Sequence, residues 1–192
     1  MTVGVVAIQG DFEKHIESLR AAGREMGIDL EVKEVRTPDD LAQVDRVVLP
    51  GGESTTVGLL MQRFGLGDAM RQAAKEGMPV WGTCMGMIMM AAGVEGRPNQ
   101  YTLNLLDIDV KRNAFGAQVH SFEDAVPCEP LKRTVTGVFI RAPIVTRVGG
   151  EVEVIANYDG KVVAVRQGNR VGTSFHPELT EDTTFHQWFL GL

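Results

Sequence analysis

Three short stretches of this chain hold residue types that can do chemistry together. The first is Gly82-Thr83-Cys84-Met85-Gly86, directly after an apolar run at 78–81. A thiol between two glycines at a strand end is the cysteine form of a nucleophile elbow. Small flanking residues permit the sharp turn, which exposes the sulfur at the N-terminus of the next helix. That terminus favours thiolate over thiol, and the Met85 N–H points to where an oxyanion would form. The second stretch is His176-Pro177-Glu178. Pro177 disfavours helix at His176, and in an extended segment residues two apart share a side. Glu178 can then hold one imidazole nitrogen while the other meets a thiol. The third is the loop at 49–55, with Gly51-Gly52-Glu53-Ser54 at its centre. Consecutive glycines after a strand let backbone N–H groups approach a ligand, as an oxyanion hole or anion nest requires. The loop lacks the Gly-Lys-Ser/Thr ending of a P-loop, which disfavours nucleotide phosphate. Each stretch alone also fits a plainer structure: a small core cysteine, a strand-end His beside a solvated Glu, an ordinary turn.

The elements around these stretches decide whether they can meet. Apolar, β-branched runs at 3–9, 30–35, 46–49 and 78–81 predict strands. Between them, helical spacing of Phe12, Ile16, Leu19 and Met26 predicts a helix ending at Gly27. A second helix is expected after Ser54 or Thr55 as N-cap, a third over 67–76, and a buried one through the methionines at 87–90. Strands alternating with helices predict an α/β fold: a doubly wound, mostly parallel sheet flanked by helices. Ligands bind such sheets at the carboxyl ends of the strands, where the loops after 9, 49 and 82 all fall. Runs at 105–111, 135–140, 151–158, 162–167 and 171–175 have little helix between them, so antiparallel strands should extend the C-terminal half. A last helix is expected near Thr180, with Glu181 and Asp182 at its positive end.

Composition narrows the classes of function. The chain has 192 residues, 44% hydrophobic, enough for one domain over 1–192. Its net charge of −6, without a basic run, disfavours nucleic acid and anionic membranes. No apolar run approaches the roughly 18 residues of a membrane span, and the N-terminus does not read as a signal peptide. Two cysteines, Cys84 and Cys128, make no disulfide framework, and a cytoplasmic, reducing location is expected. No Cys/His spacing suits zinc. Asp11 reads as a turn or cap residue, Cys128 as a loop thiol, and His15 and His120 as surface or packing residues.

Taken together, the stretches resemble the class I (triad) glutamine amidotransferases, with their Gly-x-Cys-x-Gly elbow and distant His-x-Glu. More narrowly, the chain is similar to the glutaminase subunits of pyridoxal 5′-phosphate synthases. "GVVAIQGDFEKH", "LPGGESTT", "GTCMG", "RNAFGAQV", "VTGVFIRAP" and "GTSFHPELTED" carry that resemblance along the whole chain. It implies Cys84 as nucleophile, His176 as general base and acid, and Glu178 as the residue orienting His176. It implies an oxyanion hole from Gly51, Gly52 and Met85, and glutamine contacts from Gly52, Glu53, Ser54, Arg112, Ile140 and Arg141. It also implies L-glutamine as substrate, a synthase subunit as partner in a twelve-plus-twelve complex, and no cofactor, pyridoxal phosphate being a product. Met85 departs from the small residue usual after the nucleophile, and its side chain is expected to narrow the pocket mouth. Two other readings stay open at this level: a glutaminase serving another synthase, such as that of histidine biosynthesis, and a non-catalytic regulatory subunit of the same fold.

Overall fold

The computed structural model describes residues 1–115 and 121–192. Twelve strands among the described residues belong to one sheet. The chain begins with β1 (Thr2–Val6), α1 (Phe12–Met26), β2 (Glu31–Val35), a short α2 (Pro38–Leu41) and β3 (Arg46–Leu49). It continues through α3 (Ser54–Arg63), α4 (Leu66–Lys75), β4 (Val80–Thr83) and α5 (Met85–Met90). The strands β5 (Ala91–Val94), β6 (Leu106–Lys111), β7 (Ser121–Cys128), β8 (Arg133–Ile140) and β9 (Ile144–Val148) follow. Then come β10 (Glu153–Tyr158), β11 (Lys161–Gln167), β12 (Arg170–Thr173) and a terminal α6 (Thr184–Leu190).

The order across the sheet is β2-β1-β3-β4-β12-β11-β10-β7-β8. The first five strands are mutually parallel, and pairing turns antiparallel from β12 to β11 onward. The expected fold class therefore stands, with β12 as the joint between its two halves. Period-two alternation builds a core on each face. Val47, Leu49 and Val80 pack with Met61, Met70 and Met87 from α3, α4 and α5. Val3, Val5, Val48 and Trp81 pack on the other face with Leu19 of α1 and Phe185 and Phe189 of α6.

Local structure differs from expectation at several points. α1 ends as expected at Gly27, which is left-handed at φ 66. α3 is capped by neither Ser54 nor Thr55: the Glu53 carboxylate accepts from the N–H groups of Thr55 and Thr56 at 2.9 and 2.8 Å. The last helix starts at Thr184, not near Thr180, because Pro177–Leu179 forms a 3-10 turn first. Asp182 still supplies the terminus, accepting from Thr184 N–H at 2.9 Å. Cys128 is no loop thiol. It ends β7, 3% exposed, and burial pushes its thiol up to about 11. No helix of the described residues is long and apolar enough to cross a membrane.

Candidate active site

Four neighbouring parallel strands, β1, β3, β4 and β12, run out at one edge of the sheet, and each delivers part of a cavity of about 440 Å3. Beyond β1 lie Gly10 and Asp11, beyond β3 Gly51 to Ser54, beyond β4 Cys84 and Met85, beyond β12 His176 and Glu178. The ends of β6 and β8 add Arg112, Asn113, Ile140 and Arg141. All eleven site residues expected from the sequence thus line one cavity. The loop after residue 9 reaches this edge as expected and brings Gly10 and Asp11, neither of them named as a site residue, while Asn113, Ile88 and Leu179 were missed as lining residues. Asp11 does occupy the N-cap position of α1, but its side chain makes no cap hydrogen bond. Asn113 stands inside a quoted motif, so its place next to Arg112 was the available signal.

The elbow is strained as such a turn must be. Cys84 has φ 50 and ψ −103, outside the regions comfortable for an L-residue. Two hydrogen bonds hold it there: Cys84 N–H donates to Thr173 C=O at 2.7 Å, and Ile88 N–H to Cys84 C=O at 3.2 Å. The flanking glycines are needed for contact, since a Cβ on Gly86 would overlap the Leu49 carbonyl. Behind the elbow α5 is six residues long and wholly buried, a packing element as expected of the methionines. Met85 does not stand at the pocket mouth. Its side chain is 2% exposed, and its terminal methyl lies beside Gly52.

His176 is reached by a turn, not by the extended segment expected. Pro177 opens the 3-10 turn, which folds Glu178 back so that its Oε1 meets His176 Nδ1 at 2.7 Å. The backbone is anchored by His176 N–H donating to Val138 C=O of β8 at 2.8 Å. Burial opposes charge on His176, but the Cys84 sulfur and the Glu178 carboxylate outweigh it and raise its pKa above the usual 6.5. Burial likewise works against ionised Glu178, yet His15 and His176 hold its carboxyl well below the usual carboxylate range. The Cys84 thiol points at the Ile140 carbonyl at 3.8 Å, and His176 Nε2 is buried without a hydrogen-bond partner among the described residues.

The remaining polar groups form the cavity wall. Glu53 is engaged by α3, and the N–H groups of Thr55 and Thr56 lower its pKa to about 2. Arg112 Nη2 lies 4.0 Å from Glu53 Oε1, and Arg112 Nη1 donates to Gln100 Oε1 at 3.5 Å. Gln100 Nε2 in turn donates to the buried Ser54 Oγ at 3.1 Å. Ile140 and Arg141 are exposed at the rim, Arg141 with φ 46. His15, expected at the surface or in packing, is fully buried directly behind Glu178. His120 falls outside the described residues. Among the described residues no group of three or more His, Cys, Asp or Glu could hold a metal ion.

Cys84 and the His176–Glu178 pair line one cavity at adjoining strand ends, and a solved glutamine amidotransferase has the same fold. It superposes with a TM-score of 0.90 at 46% identity, over 98% of this chain and 97% of its own. The chain belongs to the SNO glutamine amidotransferase family, whose model matches residues 5–191. Relatives named "Pyridoxal 5'-phosphate synthase subunit PdxT" share its full length. The one from Herpetosiphon aurantiacus is 49% identical, covering 100% of both chains. The one from Pyrococcus furiosus is 46% identical, over 98% of this chain and 96% of its own. A Thermotoga maritima glutamine amidotransferase with TM-score 0.59 and 14% identity shares the fold.

Proposed function

We propose that this chain is the glutaminase subunit of a pyridoxal 5′-phosphate synthase: it hydrolyses L-glutamine to L-glutamate and ammonia and passes the ammonia to a synthase subunit. The observation that carries this reading is the Nδ1 to Oε1 contact of His176 and Glu178 at 2.7 Å in one cavity with a strained Cys84.

The residues divide the work as follows. His176 takes the proton of Cys84, and its raised pKa suits it to hold that proton as an imidazolium. The sulfur attacks the side-chain carboxamide carbon of glutamine, and the C=O electrons move onto oxygen. Backbone N–H groups of Gly51, Gly52 and Met85 receive that oxyanion. His176 returns its proton to the leaving nitrogen, the C–N bond breaks, and ammonia departs from a γ-glutamyl thioester. His176 then takes a proton from water, whose oxygen attacks the thioester carbon. The C–S bond breaks, the sulfur takes the proton back from His176, and glutamate leaves. Glu178 holds the imidazole with Nε2 toward the chemistry throughout.

Gly52, Glu53 and Ser54 meet the amino-acid end of glutamine, Glu53 chiefly through its backbone because α3 occupies its carboxylate. Arg112, Ile140 and Arg141 close the cavity around the rest, guanidinium groups suiting the α-carboxylate. The synthase combines the ammonia with ribose 5-phosphate and glyceraldehyde 3-phosphate, in a complex of twelve glutaminase and twelve synthase subunits. The names of the full-length relatives favour this synthase over that of histidine biosynthesis. Two unbridged cysteines fit a cytoplasmic enzyme. The test is glutamate release from glutamine by the purified chain, with and without the synthase subunit. Release that depends on Cys84 supports the reading, and no release in either state overturns it.

A further inference from the structure

Glu178 has a second neighbour that the hydrolysis scheme does not use. His15, on the first turn of α1, is fully buried, and its Nε2 lies 3.4 Å from Glu178 Oε1, the same oxygen that meets His176. Its Nε2 is also 3.1 Å from Thr83 Oγ1, one residue before the elbow cysteine. Its Nδ1 is 3.3 Å from Nε2 of His186, a fully buried residue of α6. Trp81 braces both rings edge-to-face, with centroids 5.3 Å from His15 and 4.9 Å from His186. Glu178 Oε2, by contrast, is buried with no hydrogen-bond partner among the described residues.

The proton positions follow from this geometry. Burial lowers the pKa of His186 to about 3, so it is neutral. If His15 were protonated only on Nδ1, its bare Nε2 lone pair would face an anionic carboxylate oxygen. The carboxylate oxygen therefore calls for N–H on Nε2, toward Thr83 and Glu178, while Nδ1 pairs with His186 Nε2. His186 Nδ1 has no partner among the described residues, so the contact with His15 is the one hydrogen bond its ring makes there. The groups facing His15 are thus one carboxylate from the turn after β12, one neutral imidazole from α6, and a hydroxyl and an indole from β4.

We propose that His15 is a positioning residue for glutamine hydrolysis: its Nε2–H, with Nδ1 paired to His186, holds the Glu178 carboxylate from behind so that Oε1 stays on His176 Nδ1. A carboxylate with one oxygen unpartnered is otherwise free to turn about its last bond, and the imidazole would turn with it. His15 thereby acts on the reaction through Glu178 and touches neither substrate nor sulfur. The proposal rests on the glutaminase reading above.

The test uses the chain in complex with its synthase subunit and follows glutamate release. His15→Leu, which removes the donor, should lower kcat about tenfold or more while KM for glutamine stays within about threefold, because orientation and not binding is lost. His15→Gln, which returns an amide N–H near the Nε2 position, should recover most of that loss. On a Glu178→Gln background, His15→Leu should cost little further, as expected for residues acting through one another. Three results overturn the proposal: folded His15→Leu with unchanged kcat, His15→Gln no better than His15→Leu, or the same loss on both backgrounds. If His15→Leu does not fold, His186→Phe runs the same cycle, since it keeps a ring against Trp81 and removes the nitrogen that pairs with His15 Nδ1. Unchanged kcat there is equally fatal. Cys84→Ala is the separate control: glutamate release that survives it defeats the glutaminase reading, whatever His15 does.

Discussion

Gly51 and His176 are packed so closely that no methyl group fits between them. A Cβ on Gly51 would lie 2.6 Å from His176 Cε1. The imidazole is buried on its other sides and its backbone is tied to Val138, so it has little room to retreat. Gly51→Ala should therefore displace the ring from Cys84. Displacements of this order cost on the order of a hundredfold in rate. We expect kcat for glutamate release to fall by about that factor with the protein still folded, checked by steady-state kinetics beside a thermal melt.

Cys84→Ala should abolish glutamate release but leave ammonium salts able to support product formation by the complex. Retained release would reject Cys84 as the nucleophile. A stability comparison adds a second check. At φ 50 and ψ −103 a Cβ is strained and a glycine is not. Cys84→Gly should then be more stable than Cys84→Ala by about 1 kcal/mol, read from denaturant midpoints.

Glu53 gives a prediction on stability without chemistry. Its carboxylate caps α3, and loss of such a cap costs about 1 kcal/mol. Glu53→Ala should be destabilised by about that amount at pH 7. Its folded pKa of about 2 is depressed from 4.5, so its contribution is fully present above 4.5 and is lost as pH falls toward 2. The gap between wild type and variant, followed by urea unfolding, should narrow over that interval.

His176 titrates in the opposite sense. Its pKa is raised above 6.5 in the fold, so its charged form contributes stability that is full below 6.5 and lost as pH rises past the raised value. The stability difference between wild type and His176→Gln should be largest in mild acid and shrink on the alkaline side. A difference that grows with pH would show that the imidazole is buried neutral.

The parallel half of the fold was legible because its strands are β-branched runs closed by Gly or Pro, as at Pro50-Gly51 after β3. The loops that follow them line the cavity, so the cavity was legible with them. β7 was not, because Glu123, Asp124 and Pro127 break every strand signal in a segment whose outer face is solvated. β5 was hidden because Ala91 continues the methionine run of α5 without a breaker. The turn at Pro177 and the capping role of Glu53 depend on backbone angles that an i, i+2 rule does not supply. His15 is a packing residue, one of the two readings the sequence left open, but its polar contacts were not legible. It lies on the apolar stripe of α1, but the partners that give it meaning, Thr83 and His186, stand 68 and 171 residues away.

The pairing of β4 with β12 has a consequence for the mechanics of the site. Thr83 stands beside Thr173 in register, Cys84 follows directly and is bonded to Thr173, and His176 follows three residues on. Adjacent strands keep a spacing of about 4.8 Å whatever the rest of the molecule does. The sheet thus acts as a ruler between sulfur and imidazole. Thermal breathing that shifts the core carries both ends of the ruler together, and the separation of sulfur and imidazole is left to the rotation of two side chains.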